Sequence, residues 1–146
     1  MEKELKAKVL LVDDEEDFLS TLAERLETRG LVVTTALNGE EAVAKAEKEG
    51  FDLIVLDLAM PGLDGLETLK RIKAKQPDAE IIILSGQGSI RTSIEAMKLG
   101  AEDFMEKPVK MTELLDKISE AKDKRLQILE KKSIMEIEKI LKTKGW

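Results

Sequence analysis

The chain has 146 residues, 42% of them hydrophobic and 37% charged, with a formal net charge of −6. It contains no cysteine and no histidine, which excludes disulfides, thiolate zinc sites, cysteine nucleophiles and every histidine-based triad. No apolar run reaches the roughly 20 residues of a membrane span, and the acidic balance argues against nucleic acid as a direct partner. The start MEKELKAK lacks the apolar core of a signal peptide, so the expected location is cytoplasmic and away from membranes. Any metal would have to be a hard cation held by oxygen. Charge is unevenly spread: residues 110–146 hold 10 Lys/Arg against 7 Asp/Glu, and the acidic excess lies in the preceding body.

Strand-like and helix-like segments alternate from the start. KVLLVDD (8–14) is apolar up to its last two residues, and the next helix carries Phe18, Leu22 and Leu26 before a stop at Gly30. LVVTTA (31–36) reads as a second strand, and NGEEAVAKAEKEG as a short helix with Ala42, Val43 and Ala46 inward. In FDLIVLDLAMPGLDG (51–65) a continuous apolar run ends on Asp57 and breaks into a turn, the pattern of a buried parallel strand. Leu66, Leu69 and Ile72 line a third helix that stops before Pro77. EIIILS (80–85) is a fourth strand, and Ile90, Ile94 and Met97 line a fourth helix closed by Gly100. AEDFMEKP holds a short polar fifth strand, and Met111, Leu114, Leu115 and Ile118 begin a fifth helix.

Five such units predict an α/β fold, a doubly wound parallel (βα)5 sheet of the flavodoxin-like class with a C-terminal helical extension. Strands one, three and four are nearly all apolar, whereas two and five carry polar residues. Central strands are buried on both faces and edge strands are not, so the order 2-1-3-4-5 follows. Chain direction then reverses between strands one and three, and a ligand crevice opens at their carboxyl ends. Those ends carry Asp13, Asp14 and Asp57.

Three carboxylates around one crevice repel one another, and a divalent cation relieves that repulsion. Mg²⁺ suits the set because it accepts a few carboxylates while keeping several waters. A plainer role for Asp13-Asp14 is a cap on the first helix, and for Asp57 a cap on the following loop. Ser85 closes the fourth strand and Lys107 follows the fifth, so both share the rim. A hydroxyl and an ammonium beside a metal-bound carboxylate form a receptacle for a transferred phosphoryl group. Asp57 would attack phosphorus to give an acyl phosphate.

The ordered set Asp13-Asp14, LDLAMPGLDG, ILSG and MEKP resembles the receiver domain of bacterial two-component response regulators. The likeness covers about residues 8 to 120. GQGSIRTSIEAMKLGAEDFMEKP is most similar to receivers of the enhancer-binding transcription activators. The resemblance implies that Asp57 is the phosphoacceptor and that Asp13, Asp14 and the backbone carbonyl of Ala59 complete a Mg²⁺ site. It implies that Ser85 is the switch hydroxyl, that Lys107 contacts the phosphoryl group, and that Phe104 is the aromatic switch. It further implies a cis peptide between Lys107 and Pro108. Without it, Phe104 would read as a core residue of an edge strand.

By the same resemblance the protein is a phosphorylation-dependent signalling switch and not a turnover enzyme. Its phosphodonor would be a sensor histidine kinase, and its output the face of helix four, strand five and helix five presented to a downstream protein effector. A second reading, from a different class, is a carboxylate-nucleophile phosphohydrolase. Such enzymes of the haloacid dehalogenase type carry an acid two residues after the nucleophile, where this chain has Ala59. The expected organisation is a receiver at 1–120 and a helical extension at 121–146. In the extension Ser133 and Glu136 form a capping box, so the fifth helix is expected to end near Lys131 and a separate helix to start at Ile134. That last helix should bury Ile137, Ile140 and Leu141 against its own receiver or a second chain. A homodimer, through these helices or the output face, is the favoured arrangement.

Overall fold

The computed structural model describes residues 6–58, 64–86 and 90–143. Five strands, β1 (Lys8–Val12), β2 (Val32–Ala36), β3 (Leu53–Asp57), β4 (Ile81–Ser85) and β5 (Asp103–Glu106), alternate with five helices. These are α1 (Glu16–Glu27), α2 (Gly39–Lys48), α3 (Gly65–Lys75), α4 (Ile90–Lys98) and α5 (Met111–Thr143). The strands pair in parallel in the order β2-β1-β3-β4-β5, as burial of their side chains requires. Every residue of β3 and β4 is buried, while β2 and β5 at the edges are partly exposed.

The two-residue period of the strands divides the core into two layers. Val9, Leu11, Leu53, Val55, Ile82 and Leu84 pack on Leu22 and Leu26 of α1 and on Leu114 and Ile118 of α5. Leu10, Val12, Ile54, Leu56, Ile81 and Ile83 pack on Ala42 and Ala46 of α2, Leu69 and Ile72 of α3, and Ala96 of α4. Each fully buried Leu or Ile contributes about 1.5–3 kcal/mol, so these layers fix the sheet that holds the strand ends.

Local chemistry sets the helix boundaries. Asn38 and Asp64 accept hydrogen bonds from the backbone N–H groups of Glu41 and Glu67, both at 2.8 Å, capping α2 and α3. Gly30 and Gly100 follow α1 and α4 with φ of 85° and 111°, a left-handed conformation that strains any residue with a Cβ.

Two expectations fail. The inward side of α4 is made by Ser93 and Ala96, while Ile94 and Met97 are 52% and 39% exposed. Small side chains let α4 lie close to the sheet, and the larger apolar ones are left outside. Second, α5 runs unbroken for 33 residues, straight through Ser133. A break there would give up several intrahelical backbone hydrogen bonds, which water would have to replace. With no Gly or Pro from Met111 to Lys144, continuing the helix costs only the modest propensity penalty of one serine.

The later turns of α5 lie along the amino-terminal edge of the sheet and are tied to it by charge. Arg125 lies 3.7 Å from Asp52, and Lys124 lies 2.8 Å from Glu102 and 3.6 Å from Glu80. Lys132 pairs with Asp78. Glu80 is buried, and burial together with the neighbouring Glu102 charge holds its carboxyl above the usual glutamate range. Beyond these ties Ile137, Ile140 and Leu141 are all exposed, so the end of α5 does not fold back on its own receiver.

Candidate functional site

Strand register brings the chemistry to one edge. Val12 is level with Leu56, Asp57 with Leu84 and Ser85 with Glu106. Asp13, Asp57, Ser85 and Lys107 therefore stand side by side at the carboxyl ends of β1, β3, β4 and β5. The apolar runs behind them are what bury them: Asp13, Asp57 and Ser85 are 1%, 3% and 4% exposed. Asp14 is exposed at the mouth.

Asp13 does two things at once. Its Oδ1 accepts the backbone N–H of Glu15 at 2.9 Å, a turn just ahead of α1 and not a helix cap, since Glu15 holds the N-cap position and no side chain caps it. Its Oδ2 is buried and accepts no well-directed hydrogen bond among the described residues. That oxygen lies 2.8 Å from Lys107 Nζ, an ionic contact rather than a directed bond. Lys107 Nζ also lies 3.7 Å from Asp57 Oδ2 and 3.6 Å from Glu15 Oε1. Burial works to lower the Lys107 pKa, but the close contact with Asp13 and the charges of Asp57, Asp13 and Glu15 together hold it above the usual lysine value. The Lys107–Pro108 peptide is cis.

A carboxylate oxygen from each of Asp13, Asp14 and Asp57 lies within 4.8 Å of the other two. This cluster can coordinate a divalent metal. The buried Oδ2 of Asp13, held by Lys107 through an ionic contact alone, could serve as a metal ligand, and an all-oxygen donor set suits a hard cation. The Ala59 carbonyl lies outside the described residues.

Backbone packing supports the acid on β3. Gly65, at the start of α3, donates to the carbonyl of Leu58 at 3.3 Å. A Cβ on Gly65 would sit 2.4 Å from Leu58 Cα and 2.9 Å from the Asp57 carbonyl oxygen. Only glycine lets the helix come this close to the segment following Asp57.

Phe104 is 45% exposed, and its neighbour Met105 is the buried apolar residue of β5. The plain core reading of Phe104 is thereby excluded. One residue escaped the sequence analysis: the Phe18 ring lies beneath Lys107, its centroid 4.7 Å from Nζ. Helical periodicity had marked Phe18 only as core, and it is indeed partly buried against that layer. Its place one turn beyond Asp13-Asp14 was the available signal.

The pattern of a response regulator receiver domain matches residues 9–119. The chain belongs to the response regulator receiver family. This receiver is 41% identical over 104 residues to the alkaline phosphatase synthesis transcriptional regulatory protein PhoP of Bacillus subtilis, covering 71% of this chain and 43% of that protein. It is 38% identical over 106 residues to the photosynthetic apparatus regulatory protein RegA of Cereibacter sphaeroides, covering 73% and 58%. Among solved structures, a response regulator receiver domain protein from Clostridium thermocellum superposes with a TM-score of 0.80 at 33% identity, over 84% of this chain and 98% of that one. The receiver spans about half the length, or less, of the curated relatives first matched. Like the receivers of its family, the region matched at residues 9–119 is a phosphorylation-dependent phosphoacceptor switch. Among the described residues no helix is long and apolar enough to cross a membrane.

Proposed function

We propose that Asp57 accepts a phosphoryl group from a sensor histidine kinase, and that the resulting acyl phosphate sets the state of the output face. One observation carries this reading: the buried Asp57 carboxylate stands beside two further acids and one ammonium at a single sheet edge. An Asp57 oxygen forms the new bond to phosphorus as the donor's bond to it breaks. Asp13, Asp14 and Asp57, with the Ala59 carbonyl, would hold Mg²⁺, whose charge offsets that of the phosphoryl oxygens. Lys107 and the Ser85 hydroxyl donate to those oxygens.

Drawing Ser85 inward vacates space for Phe104, which now lies exposed, as do Ile94 and Met97 of α4. Moving such an equilibrium from 1:99 to 99:1 takes about 5.5 kcal/mol, a sum that several charge-assisted bonds in a shielded crevice can approach. Residues 1–120 serve as the receiver, and 121–146 extend its output helix toward a protein partner. Adding Mg²⁺ with beryllium fluoride, a phosphoryl mimic, should shift the amide resonances of Ser85, Phe104 and α4. Shifts confined to Asp13, Asp14 and Asp57 would leave binding without a switch.

The partner of the extension is a second copy. On an unbroken helix Leu126, Leu129, Ile134, Ile137, Ile140 and Leu141 share one flank, and all are 44–57% exposed. Paired with its like, such a flank removes the same apolar surface on both chains. Ile137→Glu with Ile140→Glu should convert a sedimenting dimer to monomer. A parent protein that is already monomeric at high concentration refutes the pairing.

A further inference from the structure

Among the described residues the Lys107 ammonium group has three carboxylates beside it, Asp13, Asp57 and Glu15, and one aromatic ring. Two of those belong to the acidic cluster, so any cation entering there competes with Lys107 for Asp13, and a phosphoryl group changes what Asp57 offers. Glu15 has a side chain 67% exposed and pulls the ammonium outward toward solvent. The ring is that of Phe18, its centroid 4.7 Å from Nζ. It is neutral, half-buried against the α1–α5 core layer, and attractive to a cation through the negative face of its π-system.

We propose that Phe18 is a positioning residue for Lys107: its ring holds the ammonium over the crevice through a contact for which neither cation nor phosphoryl group competes. When Asp13 is taken by a metal, the ring keeps Nζ facing Asp57 and stops it swinging out to Glu15. The ring also shields one side of the ammonium from water, which strengthens its pull on the phosphoryl oxygens. The chain has only three phenylalanines, no tyrosine and one tryptophan, and one of these four aromatics is spent beneath the crevice lysine.

This inference rests on Asp57 as phosphoacceptor, and the experiment separates the two. In the full-length protein, Phe18→Leu keeps apolar volume in the core but removes the π face, whereas Phe18→Tyr keeps the face. The first measurement needs no phosphoryl group. In the parent, the ring current should hold the Lys107 Hε protons upfield, and they should stay upfield through a Mg²⁺ titration. In Phe18→Leu the upfield position should be lost. The second measurement is the initial rate of phosphorylation by acetyl phosphate at saturating Mg²⁺. Phe18→Leu should be about fivefold slower, equivalent to ~1 kcal/mol, with unchanged Mg²⁺ affinity, and Phe18→Tyr should recover the parent rate. In a Lys107→Ala background, Phe18→Leu should have no further effect. Lys107 Hε signals that lose their upfield position as Mg²⁺ binds would overturn the proposal. So would an equal Phe18→Leu effect with and without Lys107, which marks ordinary packing. A parent protein that takes no phosphoryl group at all would instead sink the reading of Asp57.

Discussion

Asp57→Asn is expected to abolish phosphoryl uptake from acetyl phosphate. The substitution is nearly isosteric at a residue 3% exposed in the last position of β3, so shape and packing are kept. What disappears is the anionic oxygen, and a neutral amide is too weak a nucleophile to replace it. The fold should survive, because the sheet layers behind residue 57 are apolar and unaffected. Removing one of three clustered carboxylates also relieves repulsion, so the thermal midpoint of the metal-free variant should equal or exceed that of the parent. Intact-mass measurement after incubation with acetyl phosphate and Mg²⁺ checks the first expectation, and calorimetry the second. Undiminished labelling in the variant would move the phosphoacceptor elsewhere.

Lys107→Met should have the second-largest effect, on both stability and signalling. Asp13 is 1% exposed, and the Lys107 ammonium at 2.8 Å is its nearest counter-charge. Breaking a fully buried pair costs about 3–5 kcal/mol. Lys107 keeps 22% of its side chain exposed, so a loss of about 2 kcal/mol is expected in metal-free protein at neutral pH. The pH dependence has a definite sign. The folded pKa of Lys107 is raised, so its stabilisation is complete below the unfolded value near about 10.4 and fades as pH rises through the folded value. The parent's advantage should therefore hold across neutral pH and shrink in alkaline solution. Mg²⁺ should raise the melting midpoint of the variant more than that of the parent, since the added cation replaces the missing charge beside Asp13. Phosphorylation should still occur, about 10- to 100-fold more slowly, a smaller loss than that of a sole oxyanion donor. Resonances at Phe104 should then barely respond. A full Phe104 response in Lys107→Met would show that the signal does not pass through this side chain.

Much of this architecture was legible in the chain because the strands advertise their burial. LIVLD and IIILS have no polar face to show solvent, so they had to be central, and central strands place their terminal acid and serine at one crevice. The helices were less transparent where apolar residues do not mark the inside. In α4 the isoleucine and methionine lie outward because Ser93 and Ala96 give the tighter packing. A periodic pattern cannot say which of two faces meets the sheet. The end of α5 misled for a different reason. A capping box is a statement about a helix that starts, and nothing in SIME forces a helix to start when the preceding turn already supplies its carbonyls. Phe18 was hidden because one side chain serves both core and crevice. Its ring leans on the α1–α5 layer and presents its face to Lys107, a double duty that spacing alone does not reveal.

The most direct test of the account is chemical trapping of the phosphorylated protein. Borohydride reduces an aspartyl phosphate to homoserine, whereas a free carboxylate and a phosphoserine are unaffected. After incubation with acetyl phosphate and Mg²⁺, followed by reduction and peptide mass mapping, homoserine should appear at residue 57 and nowhere else, and only when Mg²⁺ was present. Homoserine at Asp13 or Asp14, or a phosphoryl group retained on Ser85 with residue 57 intact, would contradict it.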